Sequence, residues 1–452
     1  MRIVHLVHQF LPETRGGVES YVHDLALAQR ERGHDPRIIT GSLEPRPQVE
    51  AECLDLDGLE VWRCHRDDLY FDAWDRMHAP AMTDLVLAKV AELAPDLVHL
   101  HHWIRLGQDL GSRLVAAGHP LVVTLHDFAT SCPRAFRMRP DETPCFRPLG
   151  VASCLDCVPR WPWMDDVEIA AEIDLFARSA RQELRGAGRI ICASASVREV
   201  ITEGLGIPTD RFEVAALGYR PRFGCKARAL AADEPFRFGY WGSITHRKGL
   251  HLLVEAIRSV QASRPAGARP IELEVFGHFD LPERRASLQA AAAGLPIRFH
   301  GGFDHAQLPD AGLAAAVFPS LCIETYGIVL DEAFELGLPV VVPDIGALAE
   351  RAGSAGHPFK VNDVGSLARA LGAVADDDAL RADLIAAIPG PGPELANHVD
   401  LIDRHYRAAI EDGPAASARA RADGISAEER LRHQSRRMQS QFRRLLERGE
   451  LP

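Results

Sequence analysis

Short runs of β-branched and aliphatic residues alternate along the chain with longer segments in which apolar residues recur every three or four positions. The short runs predict buried strands, and the longer segments predict amphipathic helices. The chain opens with a predicted strand at 2–8, followed by a predicted helix at 18–32 that ends at Gly33. Further strands are predicted at 37–40, 96–100, 121–125 and 189–193. Strands that alternate with helices in this way predict a mostly parallel sheet covered on both faces.

The alternation breaks at 217–235, where glycines and prolines occur without periodicity, and this segment is predicted to be a linker. It then resumes, with strands predicted at 236–241, 271–276, 297–300, 314–318 and 340–342 and helices at 248–260 and 326–336. The sequence therefore predicts an α/β protein with two doubly wound, Rossmann-like domains, 1–216 and 217–393. The carboxyl ends of two such sheets face a common cleft, where folds of this kind bind ligands.

Composition and charge narrow the functional classes. The chain has 452 residues, of which 46% are apolar and 25% are charged, as in ordinary globular proteins. No apolar run reaches the ~18 residues of a membrane span, and the first residues lack a signal-peptide pattern. We therefore predict a cytoplasmic protein, either free or peripheral to the inner face of the membrane. The net charge of −12 disfavours nucleic acid as a partner.

The tail, 413–452, differs from the rest because it has nine Arg and only five acidic residues, which leaves a net charge of −16 on the remainder. Ser426 and Glu429 have the spacing of a helix capping box. An apolar stripe follows at Leu431, Met438, Phe442 and Leu445. We expect this basic helix to pack on the acidic N-terminal domain; a homodimer contact and a surface for anionic lipid are the alternatives.

Glu324 and Glu332 are the first candidates for chemistry, because they flank a glycine-containing turn. Glu332 lies on the helix predicted after that turn, and backbone N–H groups at a helix start can bind a phosphate. A ribose diol would suit Glu332, and sugar hydroxyls would suit Glu324. The alternative is that both are solvated carboxylates at a helix end.

Two further segments are suited to phosphate. Ser243, Arg247 and Lys248 precede or begin a predicted helix, where two cations would neutralise a diphosphate. Gly16 and Gly17 precede the first helix, and glycine lets the backbone approach a phosphate closely. Each segment alone also fits an ordinary turn.

Histidines cluster at two predicted strand ends. His126 follows one strand, where it would hydrogen-bond a reacting sugar while Asp127 orients its ring. The alternative is that this His-Asp pair has a structural role. His99, His101 and His102 have the density of a metal site, but strand-end histidines that line a polar cleft are the favoured interpretation. Their place in the cleft leaves contact with an acceptor open.

Together these motifs resemble the GT-B retaining nucleotide-sugar glycosyltransferases of the fourth family, which includes mannosyl-, glucosyl- and N-acetylglucosaminyltransferases. The resemblance begins at the Gly-Gly-x-Glu that ends at Glu19 and extends to about residue 410. Its most specific part is the Glu-x7-Glu from Glu324 to Glu332, followed by Ala-x-x-x-Gly-x-Pro-Val. This chain departs from the family in having Ser243 where an Arg is common, and Phe276-Gly-His in place of small-Gly-x-Gly.

The resemblance implies an enzyme that moves a sugar from a nucleotide-diphosphate donor to an acceptor hydroxyl, in glycan, glycolipid or secondary-metabolite biosynthesis. The catalytic residues it implies are His126, Lys248 and Glu324. The donor site would comprise Gly16, Gly17, Ser243, Arg247, Lys248, Phe303, Glu324, Glu332 and the main chain of Tyr326, Gly327, Ile328 and Val329. The acceptor side would comprise Glu19, His102 and Asp127. The segment 394–412 would return as a helix to the N-terminal domain.

Retention in this family is commonly explained by front-face attack, in which the departing diphosphate takes the acceptor's proton. Catalysis would then need no metal, because Lys248, Arg247 and helix amides neutralise the diphosphate. Asp55 and Asp57 have the Asp-x-Asp spacing of a metal site, but Asp-Gly between apolar runs favours a hairpin turn. A nucleotide-sugar epimerase of the same fold and a catalytically inactive scaffold protein are the alternative functions.

A Cys-rich insertion, 128–163, interrupts the first domain. It contains Cys132, Cys145, Cys154 and Cys157, and four thiols that end in Cys-x-x-Cys suit a tetrahedral zinc site. An iron–sulfur cluster and free or disulfide-paired thiols are the alternatives. The insertion begins just after His126, so a metal-stapled loop would shape the acceptor side. The other five cysteines are predicted to lie in the core.

Overall fold

The structure is a computed structural model. It describes residues 1–66, 74, 79–161, 164–224, 226, 231, 233–265 and 267–413, together with 425, 426, 428, 429, 431–433, 435, 436, 438, 439 and 442 of the tail. In this part of the chain, no helix is both long enough and apolar enough to cross a membrane.

Eight strands form the sheet of the N-terminal domain. They are β1 (Arg2–Val7), β2 (Asp35–Gly41), β3 (Glu50–Leu56), β4 (Leu59–His65), β5 (Leu97–Leu100), β6 (Leu121–Leu125), β7 (Arg189–Cys192) and β8 (Phe212–Val214). The helices of this domain are α1 (Gly17–Glu31), α2 (Pro80–Leu93), α3 (Leu110–Ala116), α4 (Val151–Cys154), α5 (Asp166–Arg185) and α6 (Ala195–Leu205). The strand order is β3-β4-β2-β1-β5-β6-β7-β8, and the neighbours are parallel except for β3 and β4. The predicted strands are confirmed, and the antiparallel edge makes this a mixed sheet.

The antiparallel edge is the hairpin predicted around Asp57. Leu56 pairs with Leu59, and the residues between them, Asp57 and Gly58, have φ of 53° and 75°. Two successive positive φ angles form the turn that matches the twist of a hairpin. The side chain of Asp55 accepts a hydrogen bond from the Gly58 N–H at 3.1 Å, so its carboxylate is used within the turn.

The C-terminal domain has a fully parallel sheet of six strands. They are β9 (Phe236–Trp241), β10 (Ile271–Phe276), β11 (Ile297–Gly301), β12 (Ala315–Val317), β13 (Val340–Pro343) and β14 (Gly356–Phe359). Its helices are α7 (Leu250–Ser263), α8 (Pro282–Ala291), α9 (Ile328–Glu335), α10 (Gly346–Ala352), α11 (Val364–Asp376) and α12 (Asp378–Ala386). The strand order is β11-β10-β9-β12-β13-β14. Helices α7 and α9 each begin two residues later than predicted, because Gly249 and Gly327 adopt φ of 70° and 79° just before them.

Each sheet has one point at which the strand order reverses. In the first sheet it lies between β1 and β5, and in the second it lies between β9 and β12. Loops that leave the carboxyl ends of such strands diverge to opposite faces and leave a crevice. The loops after β1, β5, β9 and β12 contain the candidates Gly16, His102, Lys248 and Glu324, which explains how segments far apart in the chain meet.

Helix α13 (Leu395–Glu411) packs on the N-terminal sheet, where Ile402, Tyr406 and Ala409 join a buried cluster with Ile3 and Leu97. Its buried face repeats every three or four residues, as expected for a helix that covers a sheet.

The described part of the tail lies along α5. Ile425 is buried, and Glu429 forms an ion pair with Arg178 at 2.9 Å. In contrast, Leu431, Met438 and Phe442 are 54%, 60% and 58% exposed. The expected packing of the apolar stripe on the N-terminal domain is therefore wrong for these three residues, because polar side chains make the contact. Leu445 lies outside the described residues.

Candidate active site

Two adjoining cavities occupy the cleft between the domains. An inner cavity of about 300 Å³ is lined by Gly17 and His126 from the first domain and by Lys248 and Glu324 from the second. An outer cavity of about 610 Å³ is lined by residues that include Gly16, Phe303 and Glu332. Gly17, Ser243, Ile328 and Val329 line both cavities. Most residues of the predicted donor site are thus brought together.

Lys248 and Glu324 form an ion pair in the inner cavity. The Lys248 Nζ donates to Glu324 Oε1 at 2.7 Å, and the Ser320 hydroxyl donates to the same oxygen. Burial by itself would raise the pKa of Glu324, but the Lys248 charge and these hydrogen bonds outweigh it and lower the pKa. Burial would lower the pKa of Lys248, but the Glu324 charge raises it. Both side chains are therefore charged at neutral pH.

Close packing of two loops brings this pair together. Gly249 follows Lys248, and a Cβ at that position would lie 1.8 Å from the carbonyl oxygen of Pro319. The Leu321 N–H also donates to the Arg247 carbonyl at 2.8 Å. Only glycine permits this approach with a positive φ, so the turn after β9 is held against the loop after β12.

The segment before α9 is held by Arg351, which the sequence analysis did not identify. Its guanidinium donates to the carbonyls of Tyr326 and Gly327 at 3.1 and 2.9 Å and lies 3.6 Å from the Tyr326 ring centroid. It also pairs with Asp331. The carbonyls are thus turned towards Arg351, while Ile328 and Val329 at the helix start line the cavities. Arg351 has no motif of its own and could be found only through tertiary contacts.

Glu332 is buried and lines the outer cavity. One oxygen accepts from Trp241 Nε1 at 2.7 Å, and the other lies 3.0 Å from His305 Nε2 and 3.4 Å from an Arg222 nitrogen. Phe303 contacts His305, with ring centroids 5.2 Å apart. His305 and Arg222 are further lining residues that sequence reasoning missed. The arrangement combines an anchored carboxylate with aromatic and cationic groups.

Arg247 does not lie where it was predicted. Its guanidinium stacks on Phe136 at 3.4 Å from the ring centroid, and it is not among the described residues that line either cavity. The reason is geometric, because Arg247 and Lys248 are adjacent on a short 3-10 turn and point in different directions. Lys248 is thus the member of this pair that faces the cavity, where Ser243 lies beside it.

His126 is oriented by a different partner from the one predicted. Its Nε2 lies 3.0 Å from Nδ1 of His101, whereas Asp127 accepts from His102 Nε2 at 2.9 Å. Thr325, from the opposite domain, donates to the His126 carbonyl at 2.6 Å. Burial, and secondarily the nearby His102, lower the pKa of His126 to about 3, so its ring is neutral. The prediction that Asp127 orients His126 is wrong.

Glu19 also lies apart from the cavities. It is buried, accepts a hydrogen bond from Gln9 Nε2 at 2.6 Å, and is not among the described lining residues. A Cβ on Gly16 would lie 2.6 Å from the Glu19 carboxylate, so Gly16 leaves room for this side chain at the start of α1. The Glu19 carboxylate therefore packs against the glycine turn that precedes α1.

The cysteines of the insertion converge on one small cavity. The cavity measures about 20 Å³ and is lined by Cys132, Cys145, Cys154 and Cys157. Burial raises the pKa of the Cys154 and Cys157 thiols, and it outweighs the opposing effects of the Gly150 N–H at Cys154 and of Arg134 at Cys157. Four thiols around one small cavity suit zinc chemically. In the structure, however, no three of these sulfur atoms form a cluster in which all lie within 4.8 Å of one another. Of the other cysteines, Cys64, Cys192 and Cys322 are buried, Cys53 is exposed, and Cys225 lies outside the described residues.

The insertion reaches across the cleft. Phe136 packs under Arg247, and Glu142 Oε1 lies 2.5 Å from His246 Nε2. Both partners belong to the turn that ends at Lys248. The insertion was expected to shape the acceptor side, but these contacts place it against the turn that bears the cavity lysine.

Comparisons with known proteins agree with this geometry. The family model described as Glycosyltransferase Family 4 matches residues 15–222, and the model described as Glycosyl transferases group 1 matches residues 235–377. A phosphatidyl-myo-inositol mannosyltransferase of Mycobacterium tuberculosis is 33% identical over 342 residues, which are 74% of this chain and 75% of that protein. The D-rhamnosyltransferase WbpZ of Pseudomonas aeruginosa is 27% identical over 360 residues, 76% of this chain and 78% of that protein.

Solved structures share the two-domain arrangement. A sucrose-phosphate synthase from Thermosynechococcus elongatus has a TM-score of 0.61 at 19% sequence identity and covers 92% of this chain and 98% of its own. HepE from Anabaena, in complex with UDP and glucose, has a TM-score of 0.55 at 16% identity and covers 92% of this chain and 100% of its own. At these identities the likeness concerns the fold.

Proposed function

Because this chain belongs to the family-four type of GT-B glycosyltransferases, we propose that it is a retaining enzyme that transfers a sugar from a nucleotide-diphosphate donor to an acceptor hydroxyl. The observation that supports this most directly is the Lys248–Glu324 ion pair, which faces His126 across the inner cavity. A cation for phosphate, a carboxylate for sugar hydroxyls and a neutral imidazole then surround one space.

The donor lies across both cavities in this proposal. Lys248 and the backbone at the start of α9 bind the diphosphate, with Gly17 close by in the opposite wall. Glu332 accepts hydrogen bonds from the ribose, and the base lies near Phe303 in the outer cavity. Glu324 leaves its ion pair in part to bind hydroxyls of the transferred sugar. His102 and Asp127 lie beside His126, on the side from which the acceptor enters.

Charge stabilisation and positioning are the chemistry that these residues supply. The acceptor hydroxyl attacks the anomeric carbon on the face that the diphosphate leaves, and its proton passes to a diphosphate oxygen. Lys248 and the helix-start N–H groups stabilise the charge that develops on that oxygen. Holding both substrates in one cleft provides the orientation. No protein nucleophile and no metal ion is needed for this sequence of events.

Relatives suggest the class of acceptor. They include a mannosyltransferase named for phosphatidyl-myo-inositol and a D-rhamnosyltransferase. We therefore propose an acceptor hydroxyl on a growing glycan or on a glycolipid head group, reached by an enzyme that works at the inner face of the membrane. A separate part of the proposal concerns the tail. The exposed stripe of Leu431, Met438 and Phe442 contacts a second copy of the chain, and anionic lipid is the alternative partner.

Thermal shift with UDP-, GDP-, ADP- and dTDP-sugars identifies the donor, since a ligand that binds the folded state raises the melting temperature. Release of free nucleoside diphosphate is then measured with and without candidate acceptors. We expect release that depends on the acceptor, and a product with the anomeric configuration of the donor. An epimerised donor, or donor binding without any turnover, would replace this function with one of the two alternatives.

We also propose one structural zinc per chain, bound by Cys132, Cys145, Cys154 and Cys157. Zinc binding to thiolates is coupled to local folding, so the metal would hold the insertion in the shape that contacts the Lys248 turn. Elemental analysis should find about one zinc per chain in protein purified without chelator. Protein that has no metal, and whose Cys154→Ser variant melts at the same temperature, would contradict this.

A further inference from the structure

A row of buried imidazoles runs through the N-terminal domain and ends at the candidate active site. His5 lies on β1, His99 lies on β5, and His101 follows β5; their side chains are 0%, 0% and 1% exposed. Side chains inside a parallel sheet are usually apolar, and a buried polar group is costly unless each of its polar atoms is hydrogen-bonded. Apolar packing alone therefore does not explain why histidines occupy these three buried positions.

The hydrogen bonds form one continuous chain on the cavity side. His126 Nε2 lies 3.0 Å from His101 Nδ1, and His101 Nε2 lies 3.0 Å from His5 Nδ1. His5 Nε2 lies 2.8 Å from the Gln29 carbonyl oxygen Oε1. Three imidazoles thus link the cavity to Gln29, a buried glutamine of α1.

The far end of the chain is anchored just as completely. The Gln29 amide donates to the Tyr406 hydroxyl at 3.1 Å, and that hydroxyl lies 2.7 Å from His99 Nδ1. His99 Nε2 lies 2.8 Å from the Thr124 hydroxyl. Tyr406 belongs to α13, so the helix that returns from the C-terminal domain completes the network.

The imidazoles are neutral. Burial lowers the pKa of His5 to about 4, and burial lowers the pKa of His99 and His101 well below the usual value. A neutral imidazole has one N–H and one lone pair, so each ring in the chain must donate on one side and accept on the other. The orientation of one end then determines every proton position along the chain.

The proton positions can be followed from Gln29. Its oxygen can only accept, so His5 has its proton on Nε2 and accepts at Nδ1. His101 must therefore donate from Nε2 and accept at Nδ1. His126 in turn must donate from Nε2, which leaves the lone pair on Nδ1. That Nδ1 has no hydrogen-bond partner in the described part of the chain, and the ring lines the inner cavity.

We propose that Gln29, through His5 and His101, fixes His126 as the Nε2–H tautomer, so that its Nδ1 accepts a hydrogen bond from a hydroxyl of the donor sugar. The sugar contact rests on the proposed function, whereas the tautomer does not. Gln29 is a positioning residue, because it acts through two other side chains. The network also explains why histidines, rather than aliphatic residues, occupy these buried positions.

A metal site is the competing interpretation, since ligand atoms of His5, His99 and His101 lie within 4.8 Å of one another. Each ring nitrogen of these three residues already has a hydrogen-bond partner, however. A metal would have to displace at least two of these buried bonds, the one between His5 and His101 and one of the two made by His99. The hydrogen-bonded chain satisfies the same atoms without any rearrangement.

Nitrogen NMR of the whole protein with isotopically labelled histidine tests the tautomer directly, without substrate. The His126 signals are assigned by their loss in His126→Asn. We expect Nε2 of His126 to bear the proton and Nδ1 to be unprotonated at neutral pH. A proton on Nδ1, or equal populations of the two tautomers, would overturn the proposal, as would bound metal that broadens or shifts the signals of His5, His99 and His101.

A matched pair of substitutions tests the role of Gln29. Gln29→Glu keeps an oxygen acceptor for His5, whereas Gln29→Leu removes it at similar volume. In the Leu variant we expect mixed His126 tautomers and a kcat about ten-fold lower, the factor that corresponds to one hydrogen bond of ~1.4 kcal/mol. The donor KM should change little, because Lys248 and Glu332, which contact the diphosphate and the ribose in the proposed function, lie in the other domain. The Glu variant should keep the wild-type tautomer and lose less kcat than the Leu variant, although its carboxylate cannot donate to Tyr406 as the Gln29 amide does.

Two results would overturn the role of Gln29. One is a Leu variant with wild-type NMR signals and kcat, and the other is a Glu variant as impaired as the Leu variant. If the Leu variant does not fold, the NMR measurement on the wild type still decides the tautomer. An Nε2–H tautomer in a protein without transferase activity would remove the proposed function and the sugar contact, and would leave the assignment of the protons confirmed.

Discussion

The two walls of the cleft are built from different polar chemistry. On the N-terminal side, a chain of neutral imidazoles runs from the cleft into the domain, as at His101 and His126, and the Asp127 carboxylate lies only at its cleft end, where it pairs with His102. On the C-terminal side, the polar groups are ion pairs at the sheet edge, as between Lys248 and Glu324. The C-terminal strands behind them are lined by apolar residues such as Phe238, Leu273 and Val341, all of which are buried.

The difference follows from the cost of burial. An isolated charge inside a sheet is very costly, whereas a neutral ring with two partners is tolerated. The N-terminal wall can therefore extend its polar network into the core, and it gains fixed orientation without charge. The C-terminal wall keeps its charges at the cleft, where a doubly charged diphosphate would meet them. One wall is suited to positioning and the other to charge neutralisation.

The largest effect on transfer is expected from substitutions that remove a charge from the C-terminal wall of the cleft. Lys248→Met and Glu324→Gln should each lower transfer by ~100-fold or more, because each removes a preorganised contact to diphosphate or sugar. The melting temperature should remain near that of the wild type. Steady-state kinetics of nucleoside diphosphate release measure the effect, with Glu255→Gln as the control, since Glu255 is exposed and forms a surface ion pair with Arg258. Turnover close to the wild type in either variant would contradict the assignment.

Acidic pH should lower the stability of the N-terminal domain more than that of the C-terminal domain. His5 and His126 have folded-state pKa values of about 4 and about 3, below the ordinary value of 6.5. Below pH 6.5 the unfolded chain therefore binds protons that the folded chain does not, and stability falls as the pH drops towards 4. Each such histidine contributes on the order of 1.4 kcal/mol per pH unit in that window. At neutral pH and above, the contribution is fully present.

Urea unfolding at pH 7 and pH 5, with limited proteolysis to assign the regions, measures this difference. We expect the N-terminal domain to lose more stability than the C-terminal domain. In the latter, the histidines with lowered pKa, His251 and His357, are only partly buried. Equal losses in both domains would show that the buried histidines do not distinguish the walls.

The contact between the Cys-rich insertion and the charged wall should have a smaller effect. Phe136→Leu removes the ring under Arg247 and should weaken donor binding about three-fold, as expected for a partly exposed cation–π contact. The matched control is Phe146→Leu in the same insertion, because Phe146 is 55% exposed. Calorimetric titration of the donor into each variant measures the effect. Equal affinities in both variants would mean that the insertion does not support the Lys248 turn.

The smallest effect is expected from the tail. Truncation after Asp412 removes buried Ile425 and the surface ion pair between Glu429 and Arg178, which together should cost about 1–2 kcal/mol of unfolding free energy. Donor binding should be unchanged, and a dimer formed through the exposed stripe should dissociate. Light scattering and thermal melting test both points. Unchanged melting and oligomeric state with lost binding to anionic vesicles would instead identify lipid as the partner.

Much of the architecture was determined by the sequence alone. Local periodicity predicted five of the eight strands of the first sheet and five of the six strands of the second to within a few residues. Asp57-Gly58 predicted the hairpin turn. Both succeed because backbone preference and one-sided burial depend on neighbours in the chain. The spacing of Glu324 and Glu332 predicted a turn followed by a helix, which the structure contains.

Only the tertiary structure decided which side chains meet. His126 contacts His101 rather than the adjacent Asp127, Arg247 turns to Phe136 in the other domain, and Glu332 is held by Trp241. These partners are 25, 111 and 91 positions apart along the chain. Such contacts depend on strand order, on the docking of two domains and on the direction of each side chain. Periodicity shows which face of a helix or strand is buried, but it does not specify which other element packs against that face.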